Sequence, residues 1–327
     1  MEPASAGIDL EEFYISSEKL GSNWHLCQAT GGNTSFKHNS GITIKSSGVS
    51  LSKSRNNKKA FTYVEANKKS DQKPSMEIGF HKLIDYKFVY HYHPLNFLLC
   101  SILGLSRELL DSLKLNNFNV LLLEFIAPGD LLFTKIKSEL SEYKQTPEII
   151  LLENHGIIVS SNKIKESEQI IDVIESKCIE VLAKRKVFLD ELSPKWKNDS
   201  KYMSSIEYIE LNQLLLEAIE KGVKKSISSY AFFPDQCVYL GSNNKIWDIK
   251  DENSYKSMLQ INKIDKICTC NNNLTSIQKE YAWVNAYLMA GIGLSNTLTI
   301  KAISKSCAST FEGNQDELYR LNRSGND

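Results

Sequence analysis

Six histidines occur in the 327 residues, at positions 25, 38, 81, 91, 93 and 155. Two of them stand in Phe88-Val-Tyr-His-Tyr-His-Pro94, at i and i+2. Side chains on a strand alternate faces, so His91 and His93 share one face, about 6.5 Å apart along the chain. His155 lies in Glu153-Asn-His-Gly156, where Gly156 permits a sharp turn that aims the side chain back at the pair. Three neutral imidazoles with one open position are the donor set of a catalytic Zn2+ site, and imidazole also suits other first-row divalent ions. Taken singly, a His-x-His strand or an Asn-His-Gly turn is usually structural. An acid alters that reading. Glu77 precedes the His-x-His strand, with His81 one turn later on the same helix face. A carboxylate beside a cation can remove a proton from a carbon whose neighbouring carbonyl the cation polarises. The structural alternative for Glu77 is a first-turn acid meeting the helix dipole. For His81 a packed or ligand-supporting role is preferred, and His25 and His38 read as surface residues.

A second group of residues suits an anion. Gly31-Gly-Asn-Thr-Ser35 offers backbone N–H groups and short polar side chains, Ser46-Ser-Gly48 offers a second turn, and Lys45 a compact charge. Ser75 reads as the N-cap of a helix, where backbone N–H groups favour phosphate. Each turn alone is unremarkable; three of them ahead of the histidines carry more weight.

Simple elements would position these groups. The pattern predicts a helix within 10–30, a hairpin about His38–Gly41, a strand at Ile42–Ile44, a helix from Ser75 to Asp85 and a strand at Phe88–His93. A helix over 96–103 and an apolar strand over 119–125 follow. Strands at 149–152 and 157–159 flank Glu153–Gly156, and a long amphipathic helix covers 165–190. Beyond the polar, Pro-containing stretch Ser193–Asp199, read as a domain boundary, a helix is expected near 206–221, a strand near 237–240 and a helix near 276–290. The organisation expected is a metal-binding domain over 1–192 and a smaller C-terminal α/β region over 193–327. Hairpin-like pairs favour a mixed or antiparallel sheet over a doubly wound parallel one.

Composition narrows the function classes. Lys+Arg and Asp+Glu both number 39, and this balance argues against nucleic acid or an anionic membrane surface as partner. The most apolar run, 94–105, is too short for the roughly 20 residues that a bilayer requires. The first dozen residues have no basic and apolar leader pattern, so no signal peptide is expected. Seven scattered cysteines fit reduced thiols and a cytoplasmic location. Cys268-Thr-Cys270 lacks a second ligand pair, so no zinc finger is expected there. No Gly-x-Gly-x-x-Gly occurs, so no NAD-dependent step is expected.

The succession Gly31-Gly-Asn-Thr-Ser35, Lys45-Ser-Ser-Gly48, Pro74-Ser-Met-Glu77 with His81, His91-Tyr-His-Pro94 and Asn154-His-Gly156 resembles the class II aldolase/adducin family, over about residues 10–185. The nearest likeness is to the aldolase part of bifunctional rhamnulose-1-phosphate aldolase/alcohol dehydrogenases, and Phe233–Gly241 is similar to the segment that follows it. The resemblance implies an α/β fold with a central, mostly antiparallel sheet flanked by helices, and a homo-oligomer, often a tetramer. It further implies Zn2+ on His91, His93 and His155, with Glu77 as acid/base and as a metal ligand when substrate is absent. Asn33, Ser47, Gly48 and Ser75 match positions that hold a substrate phosphate. The activity implied is aldol cleavage of a ketose 1-phosphate or related sugar, through an enediolate that the metal stabilises. The same family also contains sugar-phosphate 4-epimerases, dehydratases and the non-catalytic adducin head. Two departures stand out. Met76 replaces a frequent second Ser in the anion site, and Glu124–Gly129 carries no Tyr where the bifunctional relatives often have one; the family's proton-donating Tyr, supplied by a neighbouring subunit, has no assigned counterpart in this sequence.

Overall fold

The computed structural model describes residues 4–57, 59–65, 68, 70–188, 208–226, 231–241, 246–248, 257–262, 267–271, 273–297, 299–311 and 314–324. The boundary expected at Ser193–Asp199 lies outside these residues. Two compact units are present. One comprises Met1–Pro94, Ser106–Lys177 and Gln315–Asp327; the other comprises Leu95–Leu105 and Cys178–Asn314.

The first unit is built on a seven-stranded sheet of order β3-β2-β1-β4-β7-β6-β5. Its strands are β1 (Asn33–Lys37), β2 (Gly41–Lys45), β3 (Phe61–Glu65), β4 (Phe88–Tyr92), β5 (Val120–Leu123), β6 (Ile149–Leu152) and β7 (Gly156–Ser161). Every pairing is antiparallel except β5 with β6. The mostly antiparallel α/β sheet is the one anticipated. Its middle strands β4, β6 and β7 are buried along their whole length. They read as near-continuous apolar runs because helices cover both faces.

Alternation sorts the residues of β4. Phe88 and Tyr90 point to the face of α1 (Ala4–Ser22), where the Phe13 ring lies among Phe36, Phe61, Phe88 and Tyr90. Val89 and His91 point to the opposite face, where Val89 joins Ile150 and Ile158 beneath Phe80 and Ile84 and beneath Leu132 and Ile136 of α5 (Asp130–Leu140). Phe13 is 0% exposed. Phe13→Ala should therefore destabilise this unit by about 3–5 kcal/mol, seen as a lower urea midpoint. An unchanged midpoint would remove Phe13 from the core.

Helix α2 (Ile78–Leu83) is shorter than the helix expected from Ser75 to Asp85. Pro74 bridges to Ser46 and the Ser75 N–H donates to the Lys45 carbonyl, so this stretch is held as a sheet extension and the helix cannot begin until later. Its N-cap is Glu77, with no side-chain capping bond. Ser75 lies ahead of the helix and its Oγ accepts from the Glu77 N–H (3.3 Å). The first unit also carries α4 (Ser106–Lys114) and most of α6 (Ile164–Ala183), while α3 (Leu95–Ile102) belongs to the second unit. Helix α6 stops earlier than its apolar periodicity suggests, in a turn where Lys186 adopts a left-handed φ of 64°.

The second unit carries a four-stranded sheet, β8-β11-β10-β9, with strands Tyr208–Glu210, Ile267–Cys270, Leu259–Asn262 and Trp247–Asp248 in that order. Helices Gln213–Lys225 and Ser276–Leu294 accompany it, the latter started by a Thr275/Gln278 capping box. The strand expected at 237–240 is instead a helix, Pro234–Leu240. Pro234 at its first position pre-sets φ, and Asp235 suits the first turn. The helix expected near 206–221 is a short strand followed by the 213–225 helix, which Asn212 caps by accepting from the Leu215 N–H (2.7 Å). All seven cysteines are free thiols. Among the described residues no helix is long and apolar enough to cross a membrane.

Candidate metal centre

Strand alternation assembles the site on the α2 face of the sheet. Asn33 of β1 pairs in register with His91 of β4, and Ser35 pairs with Val89. Asn33, Ser35, Val89 and His91 therefore share one face, and α2 brings Glu77 and His81 over it. His93 lies just past β4, its N–H donating to the Leu26 carbonyl (3.1 Å). His155 sits between β6 and β7.

The imidazoles of His91, His93 and His155 converge. Their ring centroids are 4.9, 4.9 and 5.2 Å apart, and one donor atom from each lies within 4.8 Å of the other two. Among the described residues this is the one such group of His, Cys, Asp or Glu. All three side chains are buried.

The donor chemistry fits a divalent cation. His91 Nδ1 lies 3.1 Å from the Ile157 carbonyl. A carbonyl can only accept, so Nδ1 carries the proton and Nε2 presents its lone pair. That Nε2 faces His93 Nε2 at 3.1 Å. Two nitrogens bound to one tetrahedral ion at 2.0–2.1 Å would lie about 3.3–3.4 Å apart, so the spacing needs little adjustment.

The sharp turn at this point is made by a different residue from the one expected. Asn154 takes the left-handed conformation, with φ 55°, which Asn tolerates better than most side chains. Gly156 is needed for closeness instead. A Cβ there would collide with the Tyr92 carbonyl and lie 2.8 Å from His93 Cδ2 and 3.3 Å from His91 Cε1. Gly156→Ala should thus displace both rings and weaken metal affinity by about 10–100-fold, the range typical when a ligand loses its support. Equal metal titration curves for variant and wild type would contradict this.

Glu77 stands against the cluster. Its Oε2 lies 3.3 Å from His91 Nε2 and its Oε1 3.5 Å from His155 Nε2. Oε1 is buried and accepts no hydrogen bond, an orphaned carboxylate oxygen of the sort that a cation or a substrate proton satisfies. Burial pushes the carboxyl up, but the imidazoles of His91, His155 and His93 and the Asn33 amide outweigh it and hold it at about 2. Glu77 is a carboxylate at neutral pH.

A hydrogen-bond chain fixes that carboxylate. Asn33 Nδ2 donates to Glu77 Oε2 (2.8 Å). Asn33 Oδ1 accepts from His81 Nε2, and His81 Nδ1 accepts from Ser35 Oγ (2.7 Å). Burial, with help from nearby His91, lowers His81 to about 3, so its ring is neutral and the tautomer follows from its partners. By its motif Asn33 matches an anion-binding position. In the structure both ends of its amide are engaged, one by Glu77 and one by His81, because β1 alternation points it at α2. Ser35, expected inside a turn, is a strand residue holding the far end of the chain. The signal was there: Asn33 and Ser35 have the period of a strand.

The other expected anion groups lie together. Ser47 and Gly48 form the turn after β2, Gly48 with φ 77°. The Ser47 N–H donates to the Lys73 carbonyl (2.9 Å), which ties this turn to the Lys73–Ser75 stretch. The Lys45 ammonium is buried and donates to the Thr30 and Val49 carbonyls, each at 2.8 Å, stitching the glycine-bearing turns together. His25 and His38, expected at the surface, are half-buried, and His38 packs edge-on to Phe36.

Residues 16–181 match the family model described as the class II aldolase and adducin N-terminal domain. No curated protein matches the chain. Several solved structures are similar to it. The N-terminal class II aldolase domain of a conserved protein from Thermoplasma acidophilum is 25% identical, over 51% of this chain and 90% of that one, with TM-score 0.42. L-fuculose-1-phosphate aldolase from Thermus thermophilus is 18% identical over 53% and 95%, with TM-score 0.42. A sugar-phosphate aldolase from Thermotoga maritima is 18% identical over 55% and 96%, with TM-score 0.47. The family match spans half of the sequence and contains the sheet, the three histidines and Glu77: this chain belongs to the class II aldolase and adducin family.

Proposed function

We propose that the protein is a divalent-cation-dependent lyase that breaks or forms a C–C bond in a ketose 1-phosphate or a related sugar. One observation carries this reading: three buried imidazoles meet beside a buried carboxylate whose Oε1 accepts no hydrogen bond. A cation held by His91, His93 and His155, Zn2+ by preference, would polarise a substrate carbonyl as a Lewis acid.

The chain's own groups do the rest. Glu77 shuttles a proton between its Oε1 and the carbon beside that carbonyl. The Asn33 amide, bonded to Oε2, sets the roll of the carboxylate, with Oε2 beside His91 and the unbonded Oε1 beside His155. His81 and Ser35 hold Asn33 in that orientation. Burial of all four acid and imidazole side chains keeps bulk water out and strengthens their electrostatics. Ser47, Gly48 and Ser75 hold the anionic end of the substrate. Assembly into a homo-oligomer belongs to the same reading, and the mass in solution tests that part.

The test is a screen of ketose 1-phosphates for release of dihydroxyacetone phosphate, before and after chelation. Cleavage that is lost on chelation and restored by Zn2+ is expected. A protein that binds metal stoichiometrically yet cleaves no ketose phosphate would transfer the site to another reaction. A protein that binds no metal would be a scaffold.

A further inference from the structure

The helix Gln315–Ser324 belongs to the same compact unit as the metal centre, and one of its faces docks on the anion turns. Asp316, Tyr319, Arg320 and Arg323 are spaced i, i+3, i+4 and i+7, the spacing of a single helix face. Asp316 pairs with Lys73 Nζ (2.6 Å), and the same ammonium lies 4.5 Å from the centre of the Tyr319 ring. Further along, the stem of Arg323 rests on the backbone of Gly48. A Cβ on Gly48 would stand 3.0 Å from Arg323 Cβ and 3.3 Å from both Arg323 Cδ and the Arg320 carbonyl. The bare, left-handed Gly48 is thus what lets the arginine lie down on the turn.

Charge at this contact is unbalanced in one place. Lys73 has Asp316, and Arg320 has Glu317 (3.4 Å). The Arg323 guanidinium has uncharged partners, the Gln72 side-chain oxygen at 2.9 Å and the Tyr319 hydroxyl at 3.2 Å. No carboxylate pairs with it among the described residues. The turn on which its stem rests carries hydroxyls with no hydrogen-bond partner among the described residues. Ser46 Oγ is buried without a hydrogen-bond partner, and the Ser47 hydroxyl makes no hydrogen bond among the described residues. The chain then leads from Lys73 through Ser75 directly into Glu77.

We propose that Arg323, delivered by the Gln315–Ser324 helix, is the cation that holds the phosphate of the substrate at the Ser46–Gly48 turn, and so sets a preference for phosphorylated over unphosphorylated sugars. This rests on the function proposed above. A guanidinium presents a planar fork of donors that matches phosphate oxygens. It replaces, from a distant part of the sequence, the hydroxyl that Met76 does not supply.

The test uses the full chain, with inorganic phosphate as probe in calorimetric titration. The wild type should bind phosphate, Arg323→Gln should bind it at least about tenfold more weakly, and Arg323→Lys should fall between them because it keeps the charge. Equal affinities in wild type and Arg323→Gln, or no phosphate binding by the wild type, would overturn the proposal. A second measurement needs no variant. Phosphate, but not chloride at equal ionic strength, should protect Arg323 of the wild type from phenylglyoxal, read by mass spectrometry of the modified peptide. Modification unaffected by phosphate would again overturn it. Phosphate binding through Arg323 in a protein that cleaves no ketose phosphate would leave this inference standing and remove the lyase reading. Metal-dependent cleavage with no role for Arg323 would do the reverse.

Discussion

Glu77→Gln is expected to retain its divalent metal and lose turnover by about 10²–10⁴-fold, the contribution typical of a positioned general acid/base. The substitution keeps the shape of the side chain. It also keeps an oxygen that can accept from Asn33 Nδ2, now 2.8 Å from Glu77 Oε2. What it removes is the basic Oε1, the buried oxygen with no hydrogen bond. Binding and chemistry should separate accordingly, with metal content measured by elemental analysis and turnover by the ketose 1-phosphate assay. Unchanged turnover would take the acid/base role away from Glu77. Loss of metal along with turnover would make the carboxylate a ligand first.

His93→Ala should have the larger effect on the metal. His93 Nε2 lies 3.1 Å from His91 Nε2, so both point at one spot. Deleting the ring leaves two imidazoles, fewer than the three protein ligands of a catalytic zinc site. Affinity should fall well beyond the roughly 10–100-fold that loss of a supporting hydrogen bond costs, and activity should go with it. The fold should survive, because His93 lies past the end of β4 and its main-chain bond to Leu26 does not require the side chain. Full metal occupancy in this variant would remove His93 from the ligand set.

The parts of the site that were legible in the sequence are those governed by short-range geometry. His91 and His93 could be paired because the period of a strand is two, and residues 88–92 are β-branched and aromatic enough to be one. Asn154-His-Gly156 could be marked as a chain reversal from composition, whereas in Gly31–Ser35 only the two glycines precede β1. The mostly antiparallel sheet followed from hairpin signals and from the family likeness of the motifs.

What escaped depends on contacts between distant segments. Ser75 looks like an N-cap, but the Ser46–Pro74 bridge holds it to β2, and no local rule contains that bridge. Gly156 looks like a turn residue, yet its space is taken by Tyr92, His91 and His93, while Asn154 bears the unusual φ. That Asn33 also clamps Glu77 follows only from β1 lying beside β4 in a fixed register. Residues 237–240 carry the apolar content of a strand, and the Pro-Asp that precedes them starts a helix instead. Arg323 had no local signal at all. Its place is defined by Gly48 and Gln72, more than two hundred residues earlier in the chain.

The central claim, that His91, His93 and His155 hold one divalent ion beside Glu77, is tested most directly by X-ray absorption on the zinc-loaded protein together with its metal stoichiometry. The account predicts one ion per chain with three imidazole nitrogens at about 2.0–2.1 Å, and loss of that signature in His93→Ala. Sub-stoichiometric metal, a sulfur-rich shell, or a spectrum that His93→Ala leaves unaltered would contradict it.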